Sequence, residues 1–288
     1  MEFVSTQMRA LAWSALLGYA ITVFGAGVWA TLATVNLQST PGIPWSVPVM
    51  AVLLWLMWQY LGGRWWPRRT SASRRFCLRA NPVPGSVFAW AQAAGGLSLV
   101  ALAGCWIVLS QLVKMPGNAV PDFSHYPLLT VVLTIGMASL AAPLTEEPAF
   151  RGYCQVLLER QFRAPTAVII SSILFSLTHG PTQGFLWPKL LVYFLVGAMF
   201  GTTAYLANSI VPNIPVHFFG LLIFFTLIWP RDATRGLLAE NGADSWFWIH
   251  LGQTVVFTVL AILAYGWRRP PGTPLLLRPA IAFSRTED

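Results

Sequence analysis

Polar residues are rare along this chain and grouped, and between the groups run long, nearly continuous apolar stretches. Eight stand out: Leu11–Val35, Ile43–Leu61, Val87–Leu112, Pro127–Pro143, Thr166–Thr178, Leu190–Tyr205, Ile210–Trp229 and Trp246–Trp267. A helix that crosses the ~30 Å hydrocarbon layer needs ~20 largely apolar residues, and most of these runs are near that length. The fourth and fifth are short. The stretch between them, Leu144–Ala164, is mixed rather than polar, so the fourth helix is predicted to continue through Leu144–Phe162 with its inner end projecting from the membrane. The pattern therefore predicts an all-α fold: a polytopic membrane helix bundle of about eight transmembrane helices, without internal repeat or soluble domain. Gly197 and Gly201 form a small-xxx-small pair in the sixth run, which predicts close contact with a neighbouring helix.

Composition supports this class. Of 288 residues, 56% are hydrophobic and 10% charged, against ~25% charged in an average soluble domain. Water-soluble globular proteins, disordered chains and coiled coils are excluded. The 14 Trp suit membrane interfaces. Three Cys cannot build a disulfide framework: Cys105 and Cys154 read as core thiols, and Cys77, in a basic loop, is a candidate for acylation.

The net charge of +8 would suit nucleic acid, but its distribution points to topology. With a cytoplasmic N-terminus, thirteen of the 18 Lys and Arg fall on inner segments: Arg9, the run Arg64–Arg79, Arg160, Arg163, and the tail with Arg268, Arg269, Arg278 and Arg285. Four fall outside: Lys114, Lys189, Arg231 and Arg235. That bias predicts an integral protein of a plasma membrane, a bacterial inner membrane, with both termini cytoplasmic. It makes the bilayer the partner of the basic run, with no nucleic acid partner. The chain divides into N-terminal helices (residues 1–120, with the basic cytoplasmic loop 64–80), a core (121–230), and a last helix with cytoplasmic tail (231–288).

Of the ten acidic residues, all but two lie in loops, at helix ends or at the termini, Asp122, Glu287 and Asp288 among them. The two are Glu146 and Glu147, with Arg151 close behind. A charge near the bilayer centre costs at least ~2.5–3.5 kcal/mol on insertion scales, so three in six residues need a reason. Glu147 and Arg151 stand i,i+4 and can pair on one helical face. Glu146 is rotated by about 100° and is left free. A buried ion network with no further role is the plainer alternative.

Two of the four histidines, His125 and His250, fall at outer loop or span ends, whereas His179 and His217 fall within the core. Glu146 is 17 residues before Arg163 and His179 is 16 after it. With a hinge at Arg163 and Pro165, both sit ~25 Å from the turn, and His217 also lies at mid-depth. One Glu and two His in a dry cavity suit activation of water for amide hydrolysis: the Glu as general base, one His sharing the water proton, the other steadying an oxyanion. The same trio also suits Zn²⁺, with two His, one carboxylate and an open position. HExxH is absent, as is G-x-S-x-G.

The segment Glu146-Glu147-Pro-Ala-Phe150-Arg151-Gly152 resembles the EExxxR motif of the CAAX-processing and bacteriocin-immunity membrane proteases. Phe175-Ser-Leu-Thr-His179 resembles that family's FxxxH motif, and His217 the His that opens its third motif. The resemblance covers about residues 125–230. It implies an eight-helix intramembrane endopeptidase, metal-independent and of glutamic type, acting on a membrane-associated, CAAX-like peptide or protein. Glu146 would be the base with His179 beside it, Glu147 and Arg151 would fix the motif helix, and His217 would help bind the oxyanion.

Two departures stand out. The family often carries Asn four residues after the third-motif His, where this chain has Leu221. Asn213, four residues before His217, is the substitute on offer. Pro148, with Pro143, predicts a departure from regular helix around the carboxylates. Two other functions stay open: a non-catalytic immunity or scaffold protein of the same fold, and a proton-coupled transporter, for which Glu and His would form the relay.

Overall fold

The computed structural model describes residues 2–115 and 123–267. The expected cytoplasmic tail with its four arginines, Asp122, Glu287 and Asp288 lie outside the described residues. The elements, in order, are α1 (Glu2–Ser39), α2 (Ser46–Leu61), α3 (Ser71–Leu78), α4 (Gly85–Leu112), α5 (Leu128–Glu146), a π-helical stretch (Glu147–Cys154) and α6 (Gln155–Glu159). They are followed by α7 (Ala164–Thr178), α8 (Gly180–Gln183), α9 (Trp187–Ala207), α10 (Asn213–Ile223), α11 (Leu238–Asn241) and α12 (Ser245–Trp267). Among the described residues there is no strand.

Six helical stretches are long and apolar enough to cross a membrane: Ser5–Ser39, Gly85–Leu112, Leu128–Glu159, Trp187–Ala207, Asn213–Asp232 and Ser245–Trp267. The fourth apolar run does continue past Leu144, as one 32-residue stretch from Leu128 to Glu159. The second and fifth runs form α2 and α7, of 16 and 15 residues, which are shorter than a full crossing. The fold is a polytopic helical bundle, and the chain is an integral membrane protein.

The outer surface fits a lipid solvent. Val255, Val259, Ile262 and Leu263 on α12, and Trp13, Val23 and Phe24 on α1, are all exposed. In water such faces would form an unusually large apolar patch.

Inside, small residues set the spacing. At Gly197 an added Cβ would stand 2.9 Å from Cα of Ser172, so α9 and α7 are in the close contact that the Gly pair predicts. Gly152 meets α3 similarly: a Cβ there would lie 2.9 Å from the Cys77 carbonyl oxygen. At one end of the bundle, Arg79 makes a two-pronged ion pair with Glu159 (3.0 and 2.9 Å), and its backbone carbonyl accepts from Ile210 N–H (3.0 Å). That clasp joins the α3–α4 connection to α6 and to the turn before α10.

The basic run is thus of two kinds. Arg64, Arg68, Arg69 and Arg75 are exposed, whereas Arg74 and Arg79 are buried. Arg74 donates to the carbonyls of Tyr60 (2.8 Å), Trp65 (2.6 Å) and Pro67 (3.0 Å), closing the α2–α3 connection. Cys77, the candidate for acylation, is buried as well, and burial pushes its thiol up from the ordinary value.

Candidate active site

The site begins where α5 changes pitch. Pro148 has no N–H for the carbonyl of Leu144 four residues earlier. The indole N–H of Trp58, on α2, donates to that carbonyl instead (2.8 Å). From Glu147 to Cys154 the helix widens to π geometry, which places one more residue in the turn that carries the motif. The departure from regular helix predicted around the two prolines therefore takes the form of a π segment running from Glu147. Ser171 of α7 donates to the Phe150 carbonyl within it (2.9 Å).

The two adjacent carboxylates have different surroundings. Glu147 is fully buried. Its Oε1 accepts from Arg151 Nη1 (3.1 Å) and lies 3.0 Å from His217 Nδ1, while Oε2 accepts from Asn213 Nδ2 (2.8 Å). Arg151 is itself buried, with its guanidinium 4.1 Å from the centre of the Phe175 ring and 5.3 Å from that of Phe200. Glu147 is thus committed to holding Arg151, His217 and Asn213 together. A buried charge without such partners would cost several kcal/mol.

Glu146 keeps its carboxylate for a cavity of about 400 Å³, walled by α4, α5, α7, α9 and α10 and mostly apolar. His179, His217, Tyr193 and Leu221 line the same cavity. The nearest ionic partner of Glu146 is His217, whose Nε2 is 3.6 Å from Oε2. His217 therefore bridges the two carboxylates, with its ring stacked on Phe200 at 4.8 Å.

His179 ends α7, and its Nδ1 is 3.0 Å from the Phe175 carbonyl. A carbonyl only accepts, so Nδ1 carries the hydrogen and Nε2 of the neutral ring is left as an acceptor. The ring stacks on Tyr193 (3.9 Å between centres, 16° between planes) and meets Phe175 edge-on. Phe175 thus serves twice, through its ring to Arg151 and through its carbonyl to His179.

The structure brings Glu146, His179 and His217 to one cavity, with Glu147, Arg151, Phe175 and Asn213 packed behind them. Two expectations change. His217, expected to help bind the oxyanion, has its two ring nitrogens facing Glu146 and Glu147. The Asn213 amide, offered by the sequence as an oxyanion donor, is spent on Glu147 and on the Phe200 carbonyl (2.9 Å). The cavity wall at Leu221 is apolar. His125 and His250 do not line the cavity.

The zinc alternative can be tested against the donors present. Nδ1 of His179 is held by a backbone carbonyl and Nδ1 of His217 by Glu147, which leaves Nε2 of each ring as the nitrogen that could meet a metal. Among the described residues, no group of three or more His, Cys, Asp and Glu is placed to hold a metal ion.

Trp58, Tyr193 and Phe200 belong to the site, and no motif marks them. Each sits in an apolar run, where an aromatic residue reads as packing.

Residues 128–223, about a third of the chain, match the family model described as type II CAAX prenyl endopeptidase Rce1-like. The match spans all three motifs and bears out the resemblance read from them. No curated protein and no solved structure matches.

Proposed function

Taking the α5–α10 core as that of a CAAX-type endopeptidase, we propose that this protein hydrolyses a peptide bond in a membrane-associated peptide or protein, using Glu146 and His179 to activate water. The observation that supports this most is the division of labour between adjacent carboxylates. Glu147 is saturated by Arg151, His217 and Asn213, while Glu146 opens on a cavity beside an imidazole whose Nε2 is an acceptor. Water held between Glu146 and His179 gives up a proton to Glu146 and adds to the scissile carbonyl. When the C–N bond breaks, the departing amine takes that proton. General base catalysis of this kind contributes ~10²–10⁴-fold. His217, 3.6 Å from Glu146, keeps its carboxylate in place. No step calls for a metal.

The mostly apolar wall suits a substrate presented from the bilayer. The test is cleavage of quenched fluorescent peptides, with and without a C-terminal lipid, by purified protein in detergent. Wild type should cleave at least one of them. Glu146→Gln and His179→Ala should each lose ~10²-fold or more, and a strong chelator should leave the wild-type rate unchanged. Loss on chelation with recovery on adding Zn²⁺ would overturn the metal-independent mechanism. Leu221 favours a second reading, a non-catalytic immunity or scaffold protein of the same fold. In that case wild type and Glu146→Gln would be equally inert.

A further inference from the structure

Hydrolysis at Glu146 creates a second requirement. The carbonyl under attack becomes an oxyanion, and a donor fixed 2.7–3.1 Å from it is worth ~10²–10³-fold in rate. Leu221 offers none, and most donors around the cavity are spent elsewhere. Asn213 serves Glu147 and Phe200. The Trp106 indole donates to Asp232 (2.8 Å) and the Gln253 amide to the Val100 carbonyl (2.7 Å). Both nitrogens of His217 face carboxylates.

Tyr193 remains. Its ring lies flat on His179, 3.9 Å away, and lines the cavity together with Glu146. Among the described residues, no hydrogen-bond partner takes up its hydroxyl. The stack with His179 and the packing of α9 against α7 hold the ring still, which a donor preorganised for a transition state requires.

We propose, resting on the hydrolytic reading above, that Tyr193 is a catalytic residue whose phenolic O–H donates to the oxyanion, in place of the amide missing at Leu221. Water oxygen bonds to the carbonyl carbon, one water proton passes to Glu146, and the carbonyl π pair moves onto oxygen, where Tyr193 meets it. On collapse that pair re-forms the C=O bond, the C–N bond breaks, and the amine leaves with the proton from Glu146. Tyr193 keeps its own proton throughout.

The experiment uses the full chain in detergent and the best-cleaved quenched peptide. Tyr193→Phe keeps the ring stack and removes only the donor. It should lower kcat ~10²–10³-fold with KM within about twofold and the melting temperature unchanged. A C-terminal peptide aldehyde, whose hydrate imitates the tetrahedral adduct, should bind more weakly by a similar factor, while the carboxylate product peptide binds as to wild type. Adding Leu221→Asn to Tyr193→Phe should recover about tenfold or more in kcat.

A Tyr193→Phe protein that keeps wild-type kcat, beside an inactive Glu146→Gln, overturns this proposal alone. So does a loss confined to KM, or a recovery by Leu221→Asn that only follows a rise in melting temperature. A wild type that cleaves nothing, or a Glu146→Gln that cleaves like wild type, overturns the hydrolytic reading and this proposal with it.

Discussion

Adjacent residues of the same type need not share a function, and Glu146 and Glu147 should separate under mutation. Glu147→Gln leaves Arg151 buried against a neutral partner, so a loss of ~3–5 kcal/mol of stability is expected from denaturant unfolding in detergent micelles. Glu146→Gln touches a group with one ionic contact at 3.6 Å and should change stability by less than ~1 kcal/mol. Arg151→Met should be about as costly as Glu147→Gln, and the double variant less costly than the sum, since neither charge is then stranded. Much of this was legible in the sequence: the i,i+4 spacing paired Glu147 with Arg151 and left Glu146 over. The spacing held no sign that Asn213 and His217 would complete the Glu147 cage. Those contacts link residues 66 and 70 positions apart, which local periodicity cannot see.

At the level of the helix, the π stretch is the feature with most leverage. Pro148 strands the Leu144 carbonyl and Trp58 reaches across from α2 to satisfy it. Trp58→Phe should therefore cost about 1 kcal/mol or more. Pro148→Ala, which returns a backbone donor, should reduce that penalty when the two are combined, as a double-mutant cycle in thermal unfolding would report. The sequence predicted a break in the helix from two prolines flanking the carboxylates. It could not predict that the break would widen the turn rather than unwind it, because that choice depends on a donor from another helix. Phe200 and Tyr193 went unseen for a related reason. In an all-apolar run, an aromatic residue against a guanidinium or an imidazole looks the same as one against leucine.

Taken whole, the helical bundle was readable from hydropathy, and the mixed segment after Leu144 predicted the long fourth helix, but among the described residues six of the eight apolar runs, not all, form helices of crossing length. Orientation rests on charge alone, and fusions of a reporter active only in the cytoplasm should be active at residue 64–80 insertions and inactive in the 230–245 loop. The helix that carries Glu146, Glu147 and Arg151 poses a further problem, one of biogenesis. It is made before every side chain that balances it, since Phe175, His179, Phe200, Asn213 and His217 all come later in the chain. On leaving the ribosome it is a poor client for lateral release into lipid, because its charges have only each other. A nascent chain arrested before α10 should hold this helix at the insertion machinery, detectable as persistent crosslinking that ends once residues 213–217 have emerged. The polar cage would then act as an assembly checkpoint: the helix is retained until the partners that make it soluble in the bilayer arrive.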